Sequence, residues 1–60
     1  MKRRDLLKRL AELGWSFERQ GKEHEIWSNP ARTASEAIPR HREINDRLAD
    51  HILRNAKRNP

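Results

Sequence analysis

Sixty residues with fourteen Lys and Arg against nine Asp and Glu, a formal charge of +5, make one small basic domain at most. With 33% apolar residues the core is thin, and any active site should be shallow and open. The absence of cysteine excludes disulfides, a thiolate nucleophile and a cysteine zinc cluster, and favours a reducing, cytoplasmic setting.

Leu6, Leu10 and Leu13 recur at four- and three-residue steps with Leu7 beside them, so they share one face of a first helix. Asp5 suits its first turn, where a carboxylate meets the positive end of the helix dipole. Lys2, Arg3 and Arg4 oppose that dipole and blur where the helix begins. They also leave only Leu6 and Leu7 before charge returns at Lys8 and Arg9, which is no signal peptide. No apolar run approaches membrane-spanning length, so no membrane span is expected. Gly14 is a natural C-terminal stop. Trp15-Ser16-Phe17-Glu18-Arg19 alternates apolar and polar, as a strand with one buried face does. Gln20-Gly21-Lys22-Glu23 reads as a tight reversal around the glycine. His24-Glu25-Ile26-Trp27-Ser28 is a second strand, broken by Asn29-Pro30. Residues 33–38 are a candidate third strand, although Ala, Ser and Glu are poor strand formers.

After Pro39, Ile44, Leu48 and Ile52 sit at four-residue spacing, flanked by Ala49, Leu53 and Ala56, which predicts a second amphipathic helix. Asn45 is its better N-cap type. Glu43 to Arg47 and Asp50 to Arg54 would be helix-favouring ion pairs, and Asn59 and Pro60 should fray. Without repeats or linkers, the chain reads as a single domain over residues 1–60. The expected class is α+β in the order α-β-β-(β)-α: a small antiparallel sheet of two to three strands with two helices on one face. Double-stranded RNA-binding domains use this layout.

The positive charge points to a polyanionic partner, nucleic acid first, although an acidic protein or a membrane surface would satisfy the same charge. Three histidines could do chemistry. His51 lies inside the second helix and reads as an ordinary helix-face residue. His24 follows the glycine turn, between Glu23 and Glu25 and near the cationic Arg19 and Lys22. It reads as a candidate acid–base group or as a surface histidine at a strand start. His41 lies in Pro39-Arg40-His41-Arg42, just before the second helix. Backbone N–H groups at a helix start bind phosphate, and Arg40 and Arg42 would add charge-assisted contacts; a solvated charged loop is the equal alternative. Histidine and carboxylates show no metal-ligand spacing such as H-E-x-x-H, and Gly14 and Gly21 form no phosphate-cradling loop. Trp15 and Trp27 could stack bases but are read first as core, because the chain has few other large apolar groups.

The run Gly14-Trp15, Arg19, Gly21-x-x-His24-Glu25-Ile26-Trp27, Ile38-Pro39-Arg40-His41-x-Glu43-Ile44, Leu48 and Ile52-Leu53 resembles the pattern of the HicA toxin family. The resemblance runs from about Asp5 to Lys57. It implies a fold like the double-stranded RNA-binding domain, neutralisation by a HicB-type antitoxin, and RNA cleavage with no metal or other cofactor by an mRNA interferase. It also implies one key histidine at the glycine-turn position, which here is His24. Glu23 departs from the small residue that often precedes that histidine in the family. On this resemblance His24 is the expected general acid/base of an endoribonuclease, and Arg19, Lys22, Arg40 and His41 are the expected RNA-binding residues. The rival readings are a non-catalytic RNA-binding domain of the same shape and a basic protein-interaction module.

Overall fold

The computed structural model describes residues 1–60, in the order α1 (Arg3–Glu12), β1 (Ser16–Gln20), β2 (His24–Ser28), β3 (Ser35–Pro39) and α2 (Asp46–Arg58). Helix α1 buries Leu6 and Leu10 completely, with Leu7 and Leu13 packed at the margin of the core. Lys2 is its N-cap and offers no side-chain cap; the Arg3 N–H instead donates to the Arg42 carbonyl at 2.8 Å. The other end closes as a Schellman motif. The Gly14 N–H donates to Ala11 and the Trp15 N–H to Leu10, with Gly14 at φ +90°, a left-handed conformation that glycine adopts without strain. Trp15 thereby folds under the helix and becomes the largest fully buried side chain.

The three strands form one antiparallel sheet in the order β1-β2-β3. Directly paired residues point to the same side of a sheet, so the register sorts the side chains. Glu25 pairs with Ile38 and Trp27 with Glu36, and Ile38 is fully buried; this is the face under the helices. Two polar pins join it to them. Arg3 of α1 meets Glu25 at 2.8 Å and donates through Nε to the Pro39 carbonyl, and Asn55 of α2 donates to Glu36 at 2.5 Å. The opposite face carries His24 with Pro39, Ile26 with Ala37, and Arg19 across from Ile26. No helix covers it. The β2–β3 connection is organised by the buried Asn29, whose Oδ1 accepts from the Thr33 and Ala34 N–H groups and whose amide donates to Thr33 Oγ1.

Helix α2 starts at Asn45, whose side chain accepts from the Arg47 and Leu48 N–H groups. It buries Ala49, Ile52, Leu53 and Ala56, the i, i+3, i+4, i+7 stripe of an amphipathic helix.

The architecture is the expected α-β-β-β-α, and the weakly forming third strand is present. Several local expectations are corrected. Strand β1 does not bury an alternating face: Trp15 lies before it, and Phe17 is 44% exposed. The register slips between Phe17 and Arg19, and such a bulge places two residues against one and breaks the alternation. Leu48 sits off the core stripe and is exposed. Asp50 and Arg54 do pair at 2.9 Å. Glu43, however, precedes α2 and sits 3.9 Å from the Met1 amine instead of pairing with Arg47. Asn59 does not fray: its N–H and side-chain amide bond back to the last turn of α2, and its carbonyl accepts the Trp15 indole N–H at 3.0 Å.

Candidate nucleic-acid interface and catalytic histidine

The β1–β2 hairpin is closed by a set of backbone and guanidinium hydrogen bonds. Gln20 pairs with Glu25, and inside that pair the Gly21 N–H donates to the His24 carbonyl at 2.7 Å, leaving Lys22 and Glu23 at the tip. A Cβ on Gly21 would lie 2.9 Å from the His24 carbonyl oxygen, so the tight approach requires glycine. Arg40, just past β3, grips the same turn. Its Nη1 donates to the Lys22 carbonyl at 3.1 Å; its Nη2 reaches the Gly21 carbonyl at 2.7 Å, the His24 carbonyl at 3.1 Å, and the Gln20 side-chain oxygen. A planar guanidinium with a fork of donors suits such multiple capture of carbonyls.

His24 therefore has a backbone held from three directions: by the sheet pairing with Pro39, by Gly21 and by Arg40. Its half-buried side chain projects from the uncovered face. Neither imidazole nitrogen is bonded to a protein group, so both remain available to a ligand.

The other expected site residues are placed as follows. Arg19 shares the open face with His24 through its pairing with Ile26, but its guanidinium meets Glu18 at 2.5 Å. Lys22 is exposed at the hairpin tip. Arg40 turns its guanidinium onto the hairpin carbonyls. His41 is exposed but does not sit at the start of α2, which begins at Asp46 with its first N–H groups capped by Asn45. The Arg40-His41-Arg42 segment lies instead beside the start of α1, because Arg42 accepts from the Arg3 N–H. His51 is exposed on α2, a helix packed on the side of the sheet away from His24. Trp15 is core and Trp27 is partly buried against it, and Trp27 faces the helices, so no tryptophan stands on the open face.

A second cationic element was not anticipated. Lys2, Arg3, Arg4, Arg40 and Arg42 line an open cleft of about 660 Å³, formed where the chain after β3 passes the first turn of α1. Arg3 is committed to Glu25 and Pro39, whereas Lys2, Arg4 and Arg42 form no ion pair. The sequence held one signal for it: three cations at the positive end of a helix dipole, an arrangement that local stability disfavours.

Below the cleft, the Trp27 indole N–H and then the Arg3 guanidinium hold the Glu25 carboxyl under its ordinary range. At the molecule's edge the Met1 amine, bonded to Asp46 at 2.6 Å, is raised by that carboxylate, and Asp46 is lowered by the amine. No three His, Asp or Glu side chains converge as metal ligands would, and no helix is long and apolar enough to cross a membrane.

The family model described as HicA toxin of bacterial toxin–antitoxin matches residues 3–57. No curated protein matches the chain, and no solved structure does. The family match begins at the first residue of α1 and stops one residue before the end of α2, so it takes in all three strands, the clamped hairpin, nearly all of both helices and every cleft residue but Lys2. The chain belongs to the HicA toxin family of bacterial toxin–antitoxin systems.

Proposed function

We propose that this toxin is a metal-independent endoribonuclease that cleaves messenger RNA in the cytoplasm, with His24 as its acid–base group. The observation that carries the reading is the state of His24: a backbone locked by Gly21, Pro39 and Arg40, and an imidazole free of protein partners on the open face. Rigid placement of a group able to exchange protons is what general acid–base catalysis requires, and it contributes roughly 10²–10⁴-fold.

In this mechanism His24 takes the proton of an RNA 2′-hydroxyl, whose oxygen attacks the adjacent phosphorus. The bond to the 5′-oxygen breaks, and that oxygen takes a proton from solvent. The products are a 2′,3′-cyclic phosphate and a 5′-hydroxyl. Lys22 and Arg19 lie nearest in chain and register to counter charge on the phosphate oxygens, and Arg40 adds its field from beneath the turn. A HicB-type antitoxin would silence the toxin by covering this face.

Expression of the wild-type chain without an antitoxin is expected to arrest growth with loss of messenger RNA, and His24→Ala to relieve the arrest by at least about a hundredfold in cleavage rate. Circular dichroism and thermal melting check that the variant is folded. A folded alanine variant of equal toxicity would rule His24 out and leave a non-catalytic RNA binder as the better description. His51→Gln, on the far side of the sheet, is the matched control.

A further inference from the structure

We propose that the cleft between the start of α1 and the segment after β3 is a phosphate-binding channel, in which Lys2, Arg4 and Arg42 hold the sugar–phosphate backbone of the RNA that His24 cleaves. The proposal rests on the ribonuclease reading and adds a second contact surface to it. Its first support is charge. Five basic side chains line the cleft, while Glu43 is the single carboxylate on its wall. Three of the cations are unpaired, so their charge is available to a ligand.

The second support is what the cleft lacks. Leu7 is its one apolar lining residue. Stable protein interfaces are anchored by buried apolar and aromatic groups, and this wall offers no such anchor. A phosphate backbone needs none, because neutralisation and counterion release supply its affinity.

The third support is continuity with His24. Arg40 lines the cleft and also bonds the His24 carbonyl, and Arg3 on the cleft wall bonds the carbonyl of Pro39, the residue paired with His24. One guanidinium thus separates the channel from the hairpin. A strand lying in the channel reaches the hairpin backbone at Arg40, and must turn round that edge of the sheet to meet the imidazole on the open face. The open sheet face carries no aromatic platform for bases, so the backbone is the part of the RNA this surface is equipped to hold.

The test is a salt titration of binding. Fluorescein-labelled oligouridylate is titrated into the His24→Ala chain, which binds without cutting, over a range of salt. The triple variant Lys2→Ala/Arg4→Ala/Arg42→Ala is expected to flatten the slope of log affinity against log salt by about 2. Its loss of affinity over a fourfold rise in salt should therefore be smaller than the parent's by roughly sixteenfold. The triple variant should melt no earlier than the parent, because it removes cations from the positive end of a helix dipole. A charge-matched control, Arg9→Ala/Lys57→Ala/Arg58→Ala, removes three cations outside the cleft and should shift the slope by much less.

Equal slopes in the two triples would overturn the channel in favour of diffuse attraction. An unchanged slope together with lost antitoxin binding would overturn it in favour of a protein site. Either result leaves the His24 reading standing, since that is judged by cleavage. Absence of any RNA binding by the parent would overturn the channel outright, while the ribonuclease reading falls only if the wild-type chain fails to cleave RNA.

Discussion

Gly21 has no room for a methyl group, and the atom it would strike is the carbonyl of His24. Backbone cannot swing aside as a flexible side chain can, so Gly21→Ala must open the turn that sets His24. Overpacking of this kind costs about 1–3 kcal/mol, and the displaced imidazole should lower cleavage on the order of 100-fold, since misplacement of a catalytic group by about 1 Å has that effect. Denaturant unfolding and an RNA cleavage assay read the two losses separately; full activity with normal stability would show that the hairpin does not position the histidine. Glu25 gives a pH dependence whose sign is fixed by its partners. Bonding from Trp27 and Arg3 lowers the folded-state pKa below the ordinary 4.5, so the unfolded chain takes up a proton first as pH falls. The stabilisation is complete above about pH 5 and declines as pH drops through 4.5 toward the folded-state value. Glu25→Gln should flatten this acid limb in a series of unfolding curves, and an unchanged limb would assign it to other carboxylates.

The helices and strands were legible to different degrees. Apolar spacing alone located α1 and α2, because Leu6, Leu10, Ile52 and Ala56 enter the same core from their own helices. Asn45 was legible as a cap because its side-chain oxygen competes for the first helical N–H groups in any context. Asn45→Ala is expected to cost about 1 kcal/mol of stability, measured by urea unfolding. Leu48→Gln, three residues later, should stay within about 0.5 kcal/mol of the parent, since Leu48 is exposed. A larger loss at Leu48 than at Asn45 would mean that the buried stripe of α2 is wrongly placed. The exposure of Phe17 was not legible. Its alternation with Trp15 is what a half-buried strand shows, and Phe17 does share the Trp27 face, but β1 is an edge of the sheet and leaves it open to solvent. The end of α2 was misread for a similar reason: Asn59 looks like a free tail until Trp15, 44 residues away, donates to its carbonyl.

Across the whole molecule, contacts distant in sequence account for what the residue pattern left unseen. The cleft joins residues 2–4 to residues 40–42 through the Arg3–Arg42 backbone bond, and nothing in either segment names the other. Arg40 was legible as a cation beside a histidine, whereas the turn of its donors onto the hairpin carbonyls was not, because those carbonyls lie 16 to 19 residues earlier. The glycine turn that carries His24 was legible because it is local. The chain packs both helices on one side of the sheet and leaves the histidine side bare, so an antitoxin that covers the bare side should compete with RNA for it. Labelled RNA displaced from the His24→Ala toxin by rising antitoxin, with no ternary complex, is the expected result; RNA held at full affinity in a ternary complex would favour control at a distance. The Arg40 grip carries one more consequence, for timing. The hairpin is assembled from the toxin's own carbonyls and its own guanidinium, so a covering protein supplies none of the scaffold. On the ribonuclease reading, a toxin freed of such a cover needs no refolding step before it meets RNA, so release of the cover, not assembly of the hairpin, sets the delay.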